Sequence, residues 1–97
     1  NRKNIYNYMI QKGFTPNAAA GMLGNIAVES NYTYDYTKKQ NKGPAYGLFQ
    51  FDPTGGPNNH MENYQKFLKD NEMQDSMESQ VDYVYDTIYG KVKIQSI

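Results

Sequence analysis

Gly21-Met22-Leu23-Gly24-Asn25-Ile26-Ala27-Val28-Glu29-Ser30-Asn31 decides how the rest of the chain is read. It reads as the second half of a helix that ends on a carboxylate. Met22, Ile26 and Glu29 stand at i, i+4 and i+7 and share one helical face. The first two are apolar, so this face is expected to look inward and to leave Glu29 at the rim of a core. The helix macrodipole is negative at that end, and burial disfavours charge, so both oppose an ionised carboxylate. A carboxylic acid that keeps its proton is what general acid catalysis needs. Helices ordinarily place Lys or Arg here. The stretch nominates Glu29 as a catalytic acid.

Upstream, Thr15 is a good N-cap and Pro16 a good first residue for this helix, which is predicted from Pro16 to about Glu29. Ala18, Ala19, Ala20, Gly21 and Gly24 make it small-sided. Each glycine inside a helix costs roughly 1 kcal/mol relative to alanine, and tight packing against a neighbour is the expected compensation. Before it, Asn4 to Lys12 forms a short amphipathic helix with Ile5, Tyr8, Met9 and Lys12 on one side, closed by Gly13 as a C-cap glycine.

Downstream, Ser30 to Ala45 is a polar connection with a turn signal at Gly43-Pro44. Tyr46 to Phe51, YGLFQF, reads as a short extended piece. Pro53, Gly55-Gly56 and Pro57 then exclude regular structure. A third helix is expected from His60 or Met61 to Lys69, with Met61, Tyr64, Phe67 and Leu68 as its apolar stripe. Asp75 or Ser76 can cap a fourth, whose Met77, Val81, Val84, Tyr85 and Ile88 keep a 3.6-residue period. Gly90 is expected to stop it, and Lys91 to Ile97 reads as the opening of a further element. The sum, over residues 1–97, is one mainly α domain with a long irregular insert, and it reads as a piece of a longer polypeptide.

Composition narrows the function classes. Ten basic and ten acidic residues leave no net charge, which argues against a nucleic-acid partner. A mean hydropathy of −0.88 and the lack of a long apolar run argue against membrane insertion. There is no Cys, so disulfides and Cys-based zinc sites are excluded. Tyr is abundant, at ten residues. Most are expected to cover a small polar-rich surface and close the core, although such rings can also stack on sugars.

The insert separates two carboxylates, Glu29 and Asp52, and the turn at Gly43-Pro44 lets them face each other across a groove. Paired carboxylates in unlike surroundings are the equipment of glycoside hydrolysis. Asp35, just after the helix, is a third candidate. Glu29-Ser30 at the end of a small-residue helix, followed by Tyr46-Gly47-Leu48-Phe49-Gln50-Phe51-Asp52, resembles the lysozyme-like superfamily. There a helix ends in Glu-Ser, and a later Gly-Leu-Met-Gln type segment walls the cleft. The stretch AAAGMLGNIAVES is most similar to the phage tail lysozyme family, related to goose-type lysozymes and lytic transglycosylases. Here Phe49 replaces the usual Met.

The resemblance implies a peptidoglycan-cleaving muramidase of lysozyme-like helical fold, shortened at its C-terminus. Glu29 matches the catalytic acid. Tyr46 and Gln50 match positions lining the substrate groove, and Asp52 matches an Asp that helps position water; Asp35 joins the substrate-binding candidates from its place in the loop after the helix, outside the matched motifs. The implied partners are bacterial glycan strands and the other domains of the parent polypeptide. The implied place of action is outside the cell or on a phage tail. No cofactor or metal is called for. Each residue also has a plainer reading. Glu29 could serve as a helix end, Asp52 could begin a turn with Pro53, Gln50 could satisfy loop backbone groups, and Asp35 could solubilise its loop. The lone His60 is expected at an exposed helix start, and Asp82 and Asp86 on a solvated face.

Overall fold

The computed structural model describes residues 2–39, 45–51 and 59–96, with residues 90–96 described by backbone alone. The described chain is mainly helical, as the periodicity predicts. It consists of α1 (Arg2–Lys12), α2 (Pro16–Glu29), α3 (His60–Asp70) and α4 (Met77–Ser96). The turn signals at Gly43-Pro44, Pro53, Gly55-Gly56 and Pro57 lie outside the described residues.

Local chemistry places the helix ends. The Thr15 side chain accepts the Ala18 amide at 3.1 Å and Pro16 takes the first turn, so α2 starts where the sequence says. α1 closes on Gly13, which has φ +131°, and the Gly13 and Phe14 amides both return to the Met9 carbonyl. A Cβ at Gly13 would stand 2.7 Å from the Tyr85 hydroxyl. Backbone conformation and close approach both demand glycine there. At α4 the Ser76 hydroxyl accepts the Ser79 amide, making Ser76 rather than Asp75 the cap.

α1 packs on α2 and α4, and α3 packs on α4. The main core joins Ile5 and Met9 of α1, Ala19, Leu23 and Ile26 of α2, Val81 and Tyr85 of α4, and Leu48 from the insert. A second, aromatic cluster joins Phe51, Tyr64 and Tyr83. Its rings meet at 4.9 to 5.6 Å between centroids, the spacing at which aromatic pairs attract beyond their buried area. Phe49 and Val84 pack against both clusters. Leu48, Phe49 and Phe51 of the insert are thereby wedged between two halves of one core. At the α1–α4 seam, the Tyr8 hydroxyl donates to Asp82 at 2.6 Å and Lys12 stands 3.5 Å from the same carboxylate.

Several expectations are corrected. YGLFQF is not extended: Tyr46 and Phe51 exchange backbone hydrogen bonds of 3.1 and 2.8 Å, and Gly47 to Gln50 form a tight turn between them. The positive φ of Gly47 (+89°) and Gln50 (+51°) bends the chain where a strand would run straight. Among the described residues, Gly21 and Gly24 are not at a tight helix contact; a Cβ at either would meet nothing within 4 Å beyond the helix's own backbone. The buried stripe of α2 is Ala19, Leu23, Ile26 and Ala27, and the glycines lie off it. Gly90 does not stop α4, which runs on to Ser96; no proline follows Gly90 to break the helix. Ile88 is exposed, and Tyr83 is buried in its place, because α4 turns one face to α1 and another to α3. Asp82 is half-buried in the α1 seam rather than solvated, whereas Asp86 is exposed.

Candidate active site

Glu29 is the last residue of α2, and its side chain is exposed. The face carrying Met22 and Ile26 does turn inward, but the buried stripe is centred nearer Leu23, Ile26 and Ala27. Glu29 therefore stands on the flank of that stripe, and the apolar niche expected around it is not formed by the described residues. No basic residue occupies the last turn of α2.

Ser30 organises the loop that leaves Glu29. It is fully buried, its hydroxyl donates to the Ile26 carbonyl at 2.6 Å, and the same oxygen accepts the Tyr34 amide at 3.1 Å. The Tyr32 amide reaches back to the Ala27 carbonyl at 2.6 Å. Asn31, Tyr32 and Tyr34 all adopt positive φ, between 54 and 62°. Asn tolerates this conformation, but for tyrosine it is uncommon and costs on the order of 1–3 kcal/mol. Strain of this kind persists only where neighbours enforce it, and it concentrates at functional sites. Here it lies immediately beyond Glu29, and it leaves Tyr32 70 % exposed.

The loop then runs alongside the Gly47–Gln50 turn. The Gly47 amide donates to the Lys38 carbonyl at 2.8 Å. The Gln50 side-chain nitrogen donates to the carbonyls of Lys38 and Gly47, at 3.1 and 2.7 Å. Gln50 thus satisfies loop backbone, its plainer reading. It also lines a hollow of about 300 Å³ with Phe49, His60, Tyr83 and Thr87. His60 is exposed at the start of α3, with Nδ1 3.1 Å from the Tyr83 hydroxyl.

Tyr46 is committed to a polar centre that sequence reasoning misses. Its hydroxyl donates to Asp75 at 2.5 Å, and the Tyr64 hydroxyl donates to the other oxygen of Asp75 at 2.6 Å. Burial first, and then the bond to Asp75, push both hydroxyls above the usual tyrosine range. Gln80, fully buried, donates to Asp75 at 3.0 Å and to the Tyr36 carbonyl at 2.9 Å, and accepts the Leu48 amide at 2.9 Å. A Cβ at Gly47 would stand 2.7 Å from the Gln80 carbonyl oxygen. The sequence holds one signal: position 80 lies on the same helical face as Met77, Val81 and Val84, where a polar residue is out of place.

Asp35 is exposed and accepts the amide and hydroxyl of Thr37 at 2.9 and 2.7 Å. Those bonds hold its carboxyl below the usual aspartate range. It lines a second, polar hollow of about 500 Å³ with Thr33, Tyr36 and Glu78. Asp52 lies outside the described residues. Of the four predicted site residues that are described, Gln50 lines one of these two hollows, Asp35 the other, Tyr46 braces the turn, and Glu29 lines neither. Among the described residues no group of three His, Cys, Asp or Glu could hold a metal ion. No described helix is long and apolar enough to cross a membrane.

The described chain is a small helical domain with a strained loop behind a terminal carboxylate and a glutamine turn pinned beside that loop. The chain belongs to the phage tail lysozyme family, which matches it over residues 1–95. No curated protein and no solved structure matches it. Membership supports a peptidoglycan-lytic role, with the bacterial cell wall as substrate and the phage tail as the place of action.

Proposed function

We propose that this domain is a muramidase that cleaves the β-1,4 bond between N-acetylmuramic acid and N-acetylglucosamine, with Glu29 as the general acid. The observation that carries this reading is the placement of Glu29 as the last residue of α2, backed by the strained, Ser30-anchored loop, in a chain of the phage tail lysozyme family. An exposed carboxyl becomes a useful acid when substrate covers it. A glycan strand lying across the helix end displaces water and brings its leaving oxygen to the Glu29 carboxyl, which donates the proton. Gln50 and Tyr46 shape the neighbouring wall, and Asp35 contacts the strand further along. Asp52, which follows Phe51 directly, orients the attacking water or stabilises positive charge on the sugar. The domain works on the virion tail or otherwise outside the cell, alongside other domains of its parent polypeptide.

A lytic transglycosylase would use the same acid and let a sugar hydroxyl take the place of water. A non-catalytic glycan-binding or structural tail module would use neither. Mass spectrometry of digested peptidoglycan separates all three readings. Reducing ends mean hydrolysis, anhydro ends mean transglycosylation, and no released product means a binding or structural role. The same digest with Glu29→Gln tests the acid, and activity retained by that variant removes Glu29 from the mechanism.

A further inference from the structure

We propose that Gln80, oriented by Asp75, is the positioning residue that fixes the segment leaving Glu29 against the turn that carries Gln50. The inference rests on the reading of Glu29 and Gln50 given above. It starts from connectivity. Tyr36 lies in the loop that leaves Glu29, and Leu48 lies in the Gly47–Gln50 turn. The Gln80 amide bonds both, donating to the Tyr36 carbonyl and accepting the Leu48 amide, each at 2.9 Å. One rigid, fully buried side chain on α4 therefore bridges the two loop segments.

Asp75, together with the Tyr36 carbonyl and the Leu48 amide, decides which way that amide faces. It lies 3.0 Å from the Gln80 nitrogen, and it also receives the hydroxyls of Tyr46 and Tyr64. A carboxylate can only accept, so the nitrogen end of the amide must point to Asp75 and Tyr36. The oxygen end is then left for the Leu48 amide. Turning the amide over would set oxygen against two acceptors and nitrogen against a donor, three mismatched contacts in a buried site. Tyr46 sits at the base of the turn and Tyr64 on α3, so Asp75 refers the turn to α3 as well as to α4. Gly47 completes the fit: with a Cβ only 2.7 Å from the Gln80 oxygen, any side chain there would push the two apart.

A purely structural glutamine would affect stability alone. A positioning glutamine also sets the turnover rate, because an ångström of misplacement at a reacting centre lowers rate by up to about 100-fold. The test compares Gln80→Met, which keeps length and loses all three bonds, with Val81→Ala, which weakens the core shared with Leu48 but removes none of those bonds. Thermal unfolding is measured for both, and kcat and KM are measured on soluble glycan strands well below the lower Tm. The expected result is that Gln80→Met loses kcat by about 10- to 100-fold with KM little changed, while Val81→Ala keeps its kcat despite a lowered Tm. If Gln80→Met does not fold, Asp75→Asn removes the orienting charge at constant size and takes its place. Equal kcat in the two variants would overturn the inference and leave the proposed function standing. A wild-type protein that releases no product would instead refute the proposed function.

Discussion

Replacing Gly21 and Gly24 with alanine, singly and together, is expected to stabilise the domain. Both glycines lie within α2 with helical backbone, and neither is among the residues with positive φ. Among the described residues outside the helix's own backbone, a Cβ added at either meets no atom within 4 Å, so no steric penalty from them opposes the gain. What remains is the difference in helix propensity, about 1 kcal/mol per site, arising mainly from the freedom glycine has in the unfolded chain. In a domain of this size 1 kcal/mol moves Tm by about 4–8 °C. Each single variant should rise by that much and the double variant by roughly 8–16 °C, with a small departure from additivity because i and i+3 are neighbours. Far-UV circular dichroism during heating, checked by urea unfolding, reads the effect. An unchanged or lowered Tm would refute the reasoning, because it would mean that something packs against this face of α2.

Glu29→Gln should lower glycan cleavage by about 10²- to 10⁴-fold while moving stability by no more than about 0.5 kcal/mol, as befits an exposed residue; turbidity loss of a cell-wall suspension and a thermal melt check the two halves. Gly47→Ala should destabilise by about 2 kcal/mol or more, since it combines a disfavoured φ with a clash at Gln80, and a shift in the urea midpoint measures it. Tyr64→Phe removes one of two phenol bonds to Asp75 and should cost about 1.5–3 kcal/mol; a double-mutant cycle with Asp75→Asn should then show strong coupling. The hydroxyls of Tyr8, Tyr46 and Tyr64 are raised above the ordinary tyrosine value of 10.0. A group whose pKa rises on folding stabilises the fold fully below its unfolded value, and that contribution disappears as pH climbs through the folded value. Stability followed by urea unfolding should therefore hold up to about pH 9 and decline above pH 10; a level profile through that range would contradict it.

The helices are legible because their signals are local. Thr15-Pro16 starts α2 through a cap any reader can see, and Gly13 ends α1 because no other residue takes its backbone angle. The glycines of α2 mislead because small residues say only that close packing is permitted, and the buried stripe falls elsewhere on the same helix. YGLFQF misleads because alternating apolar residues suit a strand, whereas the turn is made by two residues at positive φ and by bonds to a helix far along the chain. Asp75 looks like a helix cap because Ser76, its neighbour, is equally eligible; its true partners, Tyr46 and Tyr64, come from two other segments. Glu29 stands out by its position at the helix end, but its exposure depends on where the stripe is centred, a matter of tens of degrees that spacing alone does not resolve.

The contact between Gly47 and Gln80 has an evolutionary corollary. Where a descendant of this domain carries a side chain at position 47, position 80 must have shortened or turned away, and the Leu48 amide must have found another acceptor. Drift at either site alone is a dead end, so across related sequences the two columns should vary together, although 32 residues of chain separate them.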